Sequence, residues 1–109
     1  MTTVFEVLAE LRRRQILDPV RGGECSVNEL VARLEMNQPA VSKHLRVLRE
    51  AGLVRVRVDE QRRLYRLSPA PLRELDQWLA PYRAAWPASL DKLERHLGQM
   101  DQGETREGL

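Results

Sequence analysis

Gln38, Ser42, Lys43 and Arg46 are the side chains of this sequence whose types and spacing suit a defined chemistry. Residues four apart share a helix face, so Gln38 and Ser42 line up, with Lys43 and Arg46 close by on the same helix. An amide, a hydroxyl and two cations on one exposed surface fit the edges of bases in a DNA major groove, where glutamine can pair with adenine and lysine with guanine. Arg55, Arg57, Arg62 and Arg63 follow within a few residues. Such cations meet phosphate, or enter the minor groove, without reading a full base code. The plainer reading of both groups is a solvated amphipathic helix and a charged, solubilising surface.

The elements that must position these groups are marked in the sequence. Asn37 is a good N-cap, Pro39 falls in the first turn and Gly52 stands just past the last periodic residue; these are start and stop signals of one helix. Between them Val41, Leu45 and Leu48 recur at helical spacing as an apolar stripe. Ser26, with Glu29 three residues on, forms a capping box for a short helix over Val27 to Leu34. Only Glu35 and Met36 then separate that helix from Asn37, and two short helices so joined read as helix-turn-helix, the second being the reader. "LVRVRV" (Leu53 to Val58) alternates as a half-buried strand does, "DEQRR" reads as a polar turn and "LYRL" as a short returning strand. Helix, helix and basic hairpin make a winged helix.

The run "NQPAVSKHLRVLREAGLVRVRVDEQRRLYRLSP" resembles the signature region of the arsenical-resistance-repressor (ArsR) family of bacterial regulators, and a weaker similarity extends over residues 3–97. The resemblance implies a mainly α fold with a small β-hairpin, in which a winged helix-turn-helix homodimer binds operator DNA and usually represses transcription. It also implies two helices before Ser26, separated by a break that the family usually marks with a proline near Leu11. Here that proline is absent and Pro19 stands further on. A proline inside a helix costs on the order of 3 kcal/mol, so the second helix is expected to be shortened or kinked near Asp18. The family's wing tip often has Asp-Gly, whereas Glu60 follows Asp59 here. Without the glycine a two-residue type I′ turn is disfavoured, and a longer wing loop is expected.

Metal-sensing members carry paired cysteines around the start of the third helix, and the matching positions hold Ser26 and Asn28. Cys25 is one residue out of register and has no thiolate partner, while soft metals want several such ligands. It reads as a structural or incidental thiol, with a redox role as the lesser alternative. The family's second site, on the last helix, superposes on Asp76, Trp78, Ser89 and Lys92. No metal and no other cofactor is expected. His44, one residue before the buried Leu45, fits a partly buried packing position with an edge toward the DNA backbone, or else a base contact.

At the N-terminus Val4, Val7, Leu8 and Leu11 recur at helical spacing behind a capping Thr3, and Arg12, Arg13 and Arg14 follow; Arg21 to Glu24 reads as a plain loop. Beyond the wing, Pro71 can start a helix in which Leu72, Leu75, Leu79, Tyr82, Trp86, Leu90, Leu93 and Leu97 recur every three or four residues, interrupted by Pro81 and Pro87, each expected to bend or split it. That seam carries more apolar surface than one short domain covers, and aromatics are enriched at contacts between subunits. The expected dimer interface therefore comprises Val4 and Leu8 with Leu79, Tyr82, Trp86, Leu90 and Leu93. The alternative is that the seam packs wholly on its own core. Residues 1–97 form the DNA-binding and dimerisation domain, and 98–109, polar and without a seam, are expected to be disordered.

Composition agrees with these readings. A chain of 109 residues has room for one modest core, which dimerisation would enlarge. The net charge is +2, but residues 38–66 hold eight Lys or Arg against three acids, so positive charge gathers where phosphate would be met. One cysteine fits a reducing compartment, and no signal-like apolar run opens the sequence, so a cytoplasmic site and no membrane partner are expected. Two histidines and one cysteine do not assemble a catalytic set, and no nucleotide-binding glycine motif is present, which argues against an enzyme. A winged-helix protein-interaction module and a metal-responsive repressor with a different site remain the alternatives. With Ser26, Asn28, Trp78, Ser89 and Lys92 at the family's ligand positions, equimolar zinc, cadmium or arsenite should leave operator binding unchanged. Metal-dependent release in an anisotropy titration would reveal such a site.

Overall fold

A computed structural model describes residues 3–87, together with Arg95 and Leu97. One compact unit spans Met1–Asp76 and a second Gln77–Leu109. Over residues 3–87 the elements follow in the order α1 (Val4–Leu8), α2 (Leu11–Gly22), β1 (Cys25–Ser26), α3 (Val27–Leu34), α4 (Gln38–Glu50), β2 (Val54–Asp59), β3 (Arg62–Leu67) and α5 (Leu72–Ala84). This is a winged helix-turn-helix: α3 and α4 are the helix pair, and β2 and β3 the wing.

The first helix is only five residues long, too short to persist alone, and is held at both ends. Thr3 and Glu6 form a reciprocal capping box. At the other end the Arg13 and Arg14 guanidiniums donate to the carbonyls of Val7, at 3.3 Å, and Leu8, at 2.6 Å. Carbonyls at a helix end have no partner within the helix, so part of the Arg12–Arg14 cluster serves the fold. The break before α2 needs no proline, because Glu10 caps α2 by accepting from the Arg12 amide. Leu11 therefore opens α2 rather than extending α1, and it is 53% exposed.

Pro19 does not shorten α2, which runs on to Gly22. Proline removes one helix hydrogen bond, but Ile16 and Val20 on either side of it are fully buried. Burying two such side chains contributes about 1.5–3 kcal/mol each, enough to offset the loss. Pro81 likewise does not split α5, which ends at Ala84, ahead of Pro87. Leu90 and Leu93, Ser89 and Lys92, and the tail 98–109 lie outside the described residues.

The hairpin expected from the sequence belongs to a three-stranded antiparallel sheet of order β1-β3-β2. Cys25 pairs with Tyr65 and Ser26 with Leu64; of the Arg21–Glu24 stretch read as loop, Arg21 and Gly22 belong to α2, and only Gly23 and Glu24 join it to β1. The wing loop is short: Asp59 pairs with Arg62, leaving Glu60 and Gln61 as the turn. Glu60 takes the glycine's part with φ of 60°, a left-handed conformation costing a residue with a Cβ about 1–2 kcal/mol. Six ladder pairs and the Asp59–Arg62 ion pair at 3.8 Å across the turn hold it there.

Every helix from α1 to α4 sends residues to one core: Val4 and Val7; Ile16 and Val20; Leu30; and Val41, Leu45 and Leu48, closed by Cys25, Leu53, Val54 and Tyr65 of the sheet side. The exit from α4 is equally determined. Leu53 N–H donates to Leu48 O and Gly52 N–H to Arg49 O, both at 2.9 Å, with Gly52 at φ 79°, the paired bonds of a Schellman cap. A Cβ at Gly52 would meet Pro71 Cγ at 3.4 Å. Gly52→Ala should therefore cost about 1–2 kcal/mol, read as a lower urea midpoint with an unchanged m-value. An unshifted midpoint would show that the turn relaxes freely.

Candidate nucleic-acid interface

The reader helix α4 is fixed in rotation by its apolar side. Asn37 Oδ1 accepts from the Ala40 amide at 2.8 Å, setting the start, and Val41, Leu45 and Leu48 are fully buried. Gln38, Ser42, Lys43, Arg46 and Arg49 are consequently exposed. Gln38, Ser42 and Arg46, spaced by four, form one polar stripe. The preceding helix is pinned by its capping box, in which Ser26 N–H donates to Glu29 Oε1 at 2.7 Å and Ser26 Oγ accepts from the Glu29 amide at 3.2 Å. Those bonds hold the Glu29 carboxyl below the usual carboxylate range. Glu35, with φ 53° and ψ 43°, makes the left-handed turn between the two helices.

The start of the reader and the tip of the wing meet. Gln38, Arg62 and Arg63 line one open depression of about 220 Å³ with Ser26, Val27, Asn28 and Gln61. Arg62 and Arg63 are adjacent on β3 and project to opposite faces, so they straddle the wing tip. Asn28, in the first turn of α3, and Gln61, in the turn, are polar members of this corner that the sequence reading did not single out. The capping box at Ser26 could have placed Asn28 in a first turn beside the reader, but not beside Gln38.

The other two wing arginines lie elsewhere. Arg57 is held by Glu24, with Nε–Oε2 at 2.6 Å and Nη2–Oε1 at 2.8 Å. This bidentate pair lowers the Glu24 pKa and raises that of Arg57, and it occupies the guanidinium fork. Arg55 faces Arg66 across the ladder. Arg66, the last residue of the basic segment, also escaped the sequence reading, although the alternation of "LYRL" would place it on the face of Arg55 once the hairpin register is known.

His44 is half-buried, and its Nδ1 is buried without a hydrogen-bond partner, as is Arg13 Nε. Burial lowers its pKa, and the positive charge of Arg13 acts in the same direction. Cys25 is buried in β1, its thiol directed to the Gly23 carbonyl at 3.8 Å, and burial raises its pKa. Both properties oppose thiolate chemistry. Among the described residues no three His, Cys, Asp or Glu side chains gather as a metal site would require.

The family model described as "Bacterial regulatory protein, arsR family" matches residues 11–56, from the start of α2 into β2. The arsenic resistance transcriptional regulator ArsR1 of Pseudomonas putida is 44% identical over 77 residues, which are 70% of this chain and 57% of that protein. The transcriptional activator HlyU of Vibrio cholerae is 40% identical over 76 residues, 70% of each chain. The chain belongs to the ArsR family. It spans little more than half the length of ArsR1. The likeness holds in three dimensions: the solution structure of the homodimeric winged helix-turn-helix DNA-binding domain of Mb0332 from Mycobacterium bovis superposes with a TM-score of 0.60 at 34% identity, covering 72% of this chain and 75% of that one.

Within this ArsR-family fold, Ser26 is the cap of α3, and Asn28 is exposed. His44 yields a solution test. Between its lowered folded pKa and the unfolded value near 6.5 the unfolded chain binds a proton that the folded chain does not, so acidification favours unfolding. The surroundings are mixed, with Arg13, Lys43 and Arg12 lowering the pKa and Glu10 raising it. The stability His44 contributes is full above about pH 6.5 and falls as the pH drops through the folded value. Glu24 and Glu29 titrate below this window. Melting between pH 8 and pH 5 should therefore show a smaller loss for His44→Gln than for wild type; equal slopes would mean the imidazole protonates freely in place.

Proposed function

We propose that this ArsR-family protein is a homodimer that binds a pseudo-palindromic operator and represses transcription in the cytoplasm, without the family's metal sites. The observation that carries the reading is the convergence of Gln38, on the exposed stripe of α4, with Arg62 and Arg63 of the wing at one corner. An exposed polar helix face enters a major groove while flanking cations meet backbone or minor groove. Gln38, Ser42 and Lys43 contact base edges, Arg46 lies alongside, and His44 packs behind them with its exposed edge toward the backbone. Arg62 and Arg63 supply the wing contacts; Arg57 is paired with Glu24, and Arg55 lies further along the sheet, away from this corner. Repression follows if the operator overlaps promoter elements. HlyU, named an activator, shows that a relative is assigned the opposite output.

The dimer contact is proposed to use the first and last helices. Trp78, Tyr82 and Trp86 recur every four residues and are 54%, 52% and 43% exposed in the single chain. The Trp78 and Tyr82 rings pack against each other, tilted by 41° with 4.9 Å between centroids. A second copy would cover this aromatic face and Leu79, and Leu8 of α1 is proposed to meet the partner in its own right. Val4 contributes little, since it is buried in its own core, whereas Phe5 next to it is 37% exposed.

Two measurements test the reading. Gln38→Ala should weaken operator binding more than random-duplex binding, by about 1–3 kcal/mol for a bidentate base contact. Replacing Arg62 and Arg63 with Gln should weaken both duplexes alike and flatten log affinity against log salt by roughly one unit per lost phosphate contact. If Gln38→Ala loses both duplexes equally, that residue only positions the protein; if neither change alters DNA binding, the corner serves a protein partner. Separately, Trp86→Ala should remove about 3 kcal/mol or more from a dimer that buries the ring, producing monomer at micromolar concentration by sedimentation. A dimer as tight as wild type would place Trp86 outside the interface.

A further inference from the structure

Arg55 and Arg66 are directly opposed in the β2–β3 ladder. Opposed residues project to the same face with Cβ atoms about 5 Å apart, and like charges so placed repel. The face is the outer one, because Val54 and Val56 turn inward with their partners Leu67 and Tyr65. One pleat along, Arg57 is neutralised by its bidentate bond to Glu24. Arg55 and Arg66 have no such bond, and Glu24 acts on Arg66 only through space. A third guanidinium joins them from the first turn of α5. Arg55, Arg66 and Arg73 line an open depression of about 290 Å³ with the Ser68–Ala70 connection. A neighbouring depression of about 250 Å³ shares Arg55 and Arg66 but is also lined by the Glu24–Arg57 pair and the buried Leu64, so the anion's place is the first, which no carboxylate lines. No carboxylate among the described residues bonds to any of the three.

Three guanidiniums about one concavity, two of them held in mutual repulsion by the sheet, call for a multiply charged counter-ion. Their planar forks match the oxygens of a phosphate. We propose that Arg55, Arg66 and Arg73 form a phosphate-binding site at the base of the wing, separate from the Gln38–Arg62–Arg63 corner. Arg62 and Arg66 are four strand residues apart, roughly 13 Å at about 3.3 Å per residue, so one phosphate cannot serve both places. The phosphate comes from one of two sources: the backbone of a duplex that continues past the wing tip, or a small phosphate-bearing molecule held where the wing meets α5.

The full-length chain distinguishes these sources. Inorganic pyrophosphate, compared with sodium chloride at equal ionic strength, should raise the melting temperature of wild type by about 3 °C or more at saturating concentration. Arg55→Gln/Arg66→Gln and Arg73→Gln should lose that shift. In parallel, the salt dependence of duplex binding should flatten by about one unit in the double variant if the phosphate is the duplex's, and stay unchanged if it is a free anion's. Loss of the pyrophosphate shift, flattening of the slope, or both, supports the site and names its source; neither change overturns it. The Arg62→Gln/Arg63→Gln variant should keep the pyrophosphate shift. If it loses it, the anion binds at the wing tip and the proposal falls, so failure here is separable from failure of the operator reading. In chloride alone the double variant should melt at or above wild type, because a repulsion has been removed. A lower melting temperature would mean that these arginines hold the sheet and not a ligand.

Discussion

The seating of α4 in the core is the constraint on which the rest depends. A helix of thirteen residues is marginal by itself in water, so α4 exists because Val41, Leu45 and Leu48 are buried against α2, α3 and the sheet. That burial also decides its rotation. With three side chains a turn apart fixed inward, Gln38, Ser42 and Arg46 have no other place than the surface. The polar stripe is thus the far side of a packing decision, and its direction is as rigid as the core. Both ends are held as well, by Asn37 at the start and the Gly52 turn at the exit, so the helix can neither slide nor fray toward the wing.

The sheet solves a second problem, that of placing many like charges close together. β3 lies in the middle, between the two residues of β1 and the six of β2. Its alternation sends Tyr65 and Leu67 to the core and Arg66 to the opposite face, which it shares with Leu64, itself buried there. Inner-face burial makes the register costly to shift, since a slip of one residue would turn Val54, Val56, Tyr65 or Leu67 away from the core and bring arginines in. The outer face is then obliged to hold Arg55, Arg57 and Arg66 side by side. Glu24, delivered by the short chain between α2 and β1, relieves one of them and leaves the others with Arg73 as a concentrated positive field.

Several local preferences yield to this packing. Pro19 sits inside α2 between two buried residues, and Glu60 adopts a conformation better suited to glycine because the ladder on both sides is complete. Arg13 and Arg14 read in sequence as a basic cluster, yet they bond to the carbonyls at the end of α1. Each case has the same form: a local cost of a few kcal/mol or less is met by contacts between residues distant in the chain. Arg57 belongs with them, since its partner Glu24 lies thirty-three residues away.

The helix-turn-helix and the exposed polar face of the reader were legible in the chain itself, because they rest on signals within a few residues: the Ser26–Glu29 capping box, Asn37 before Pro39, the 41–45–48 stripe and Gly52. The alternation of Val54 and Val56 announced the wing for the same reason. What those signals could not carry was anything set by register or by contact across the chain. The third strand at Cys25 has two residues and no pattern of its own; it exists only because β3 offers it an edge. The meeting of Gln38 and Asn28 with Arg62 and Arg63, the capture of Arg57 by Glu24 and the opposition of Arg55 and Arg66 depend on a two-residue turn that the composition of the wing tip argued against. Local periodicity and capping chemistry are written in the sequence because their energies come from neighbours along it. The arrangement of the charges was decided only in the tertiary structure, because a guanidinium's partner is whatever the ladder and the core bring within reach.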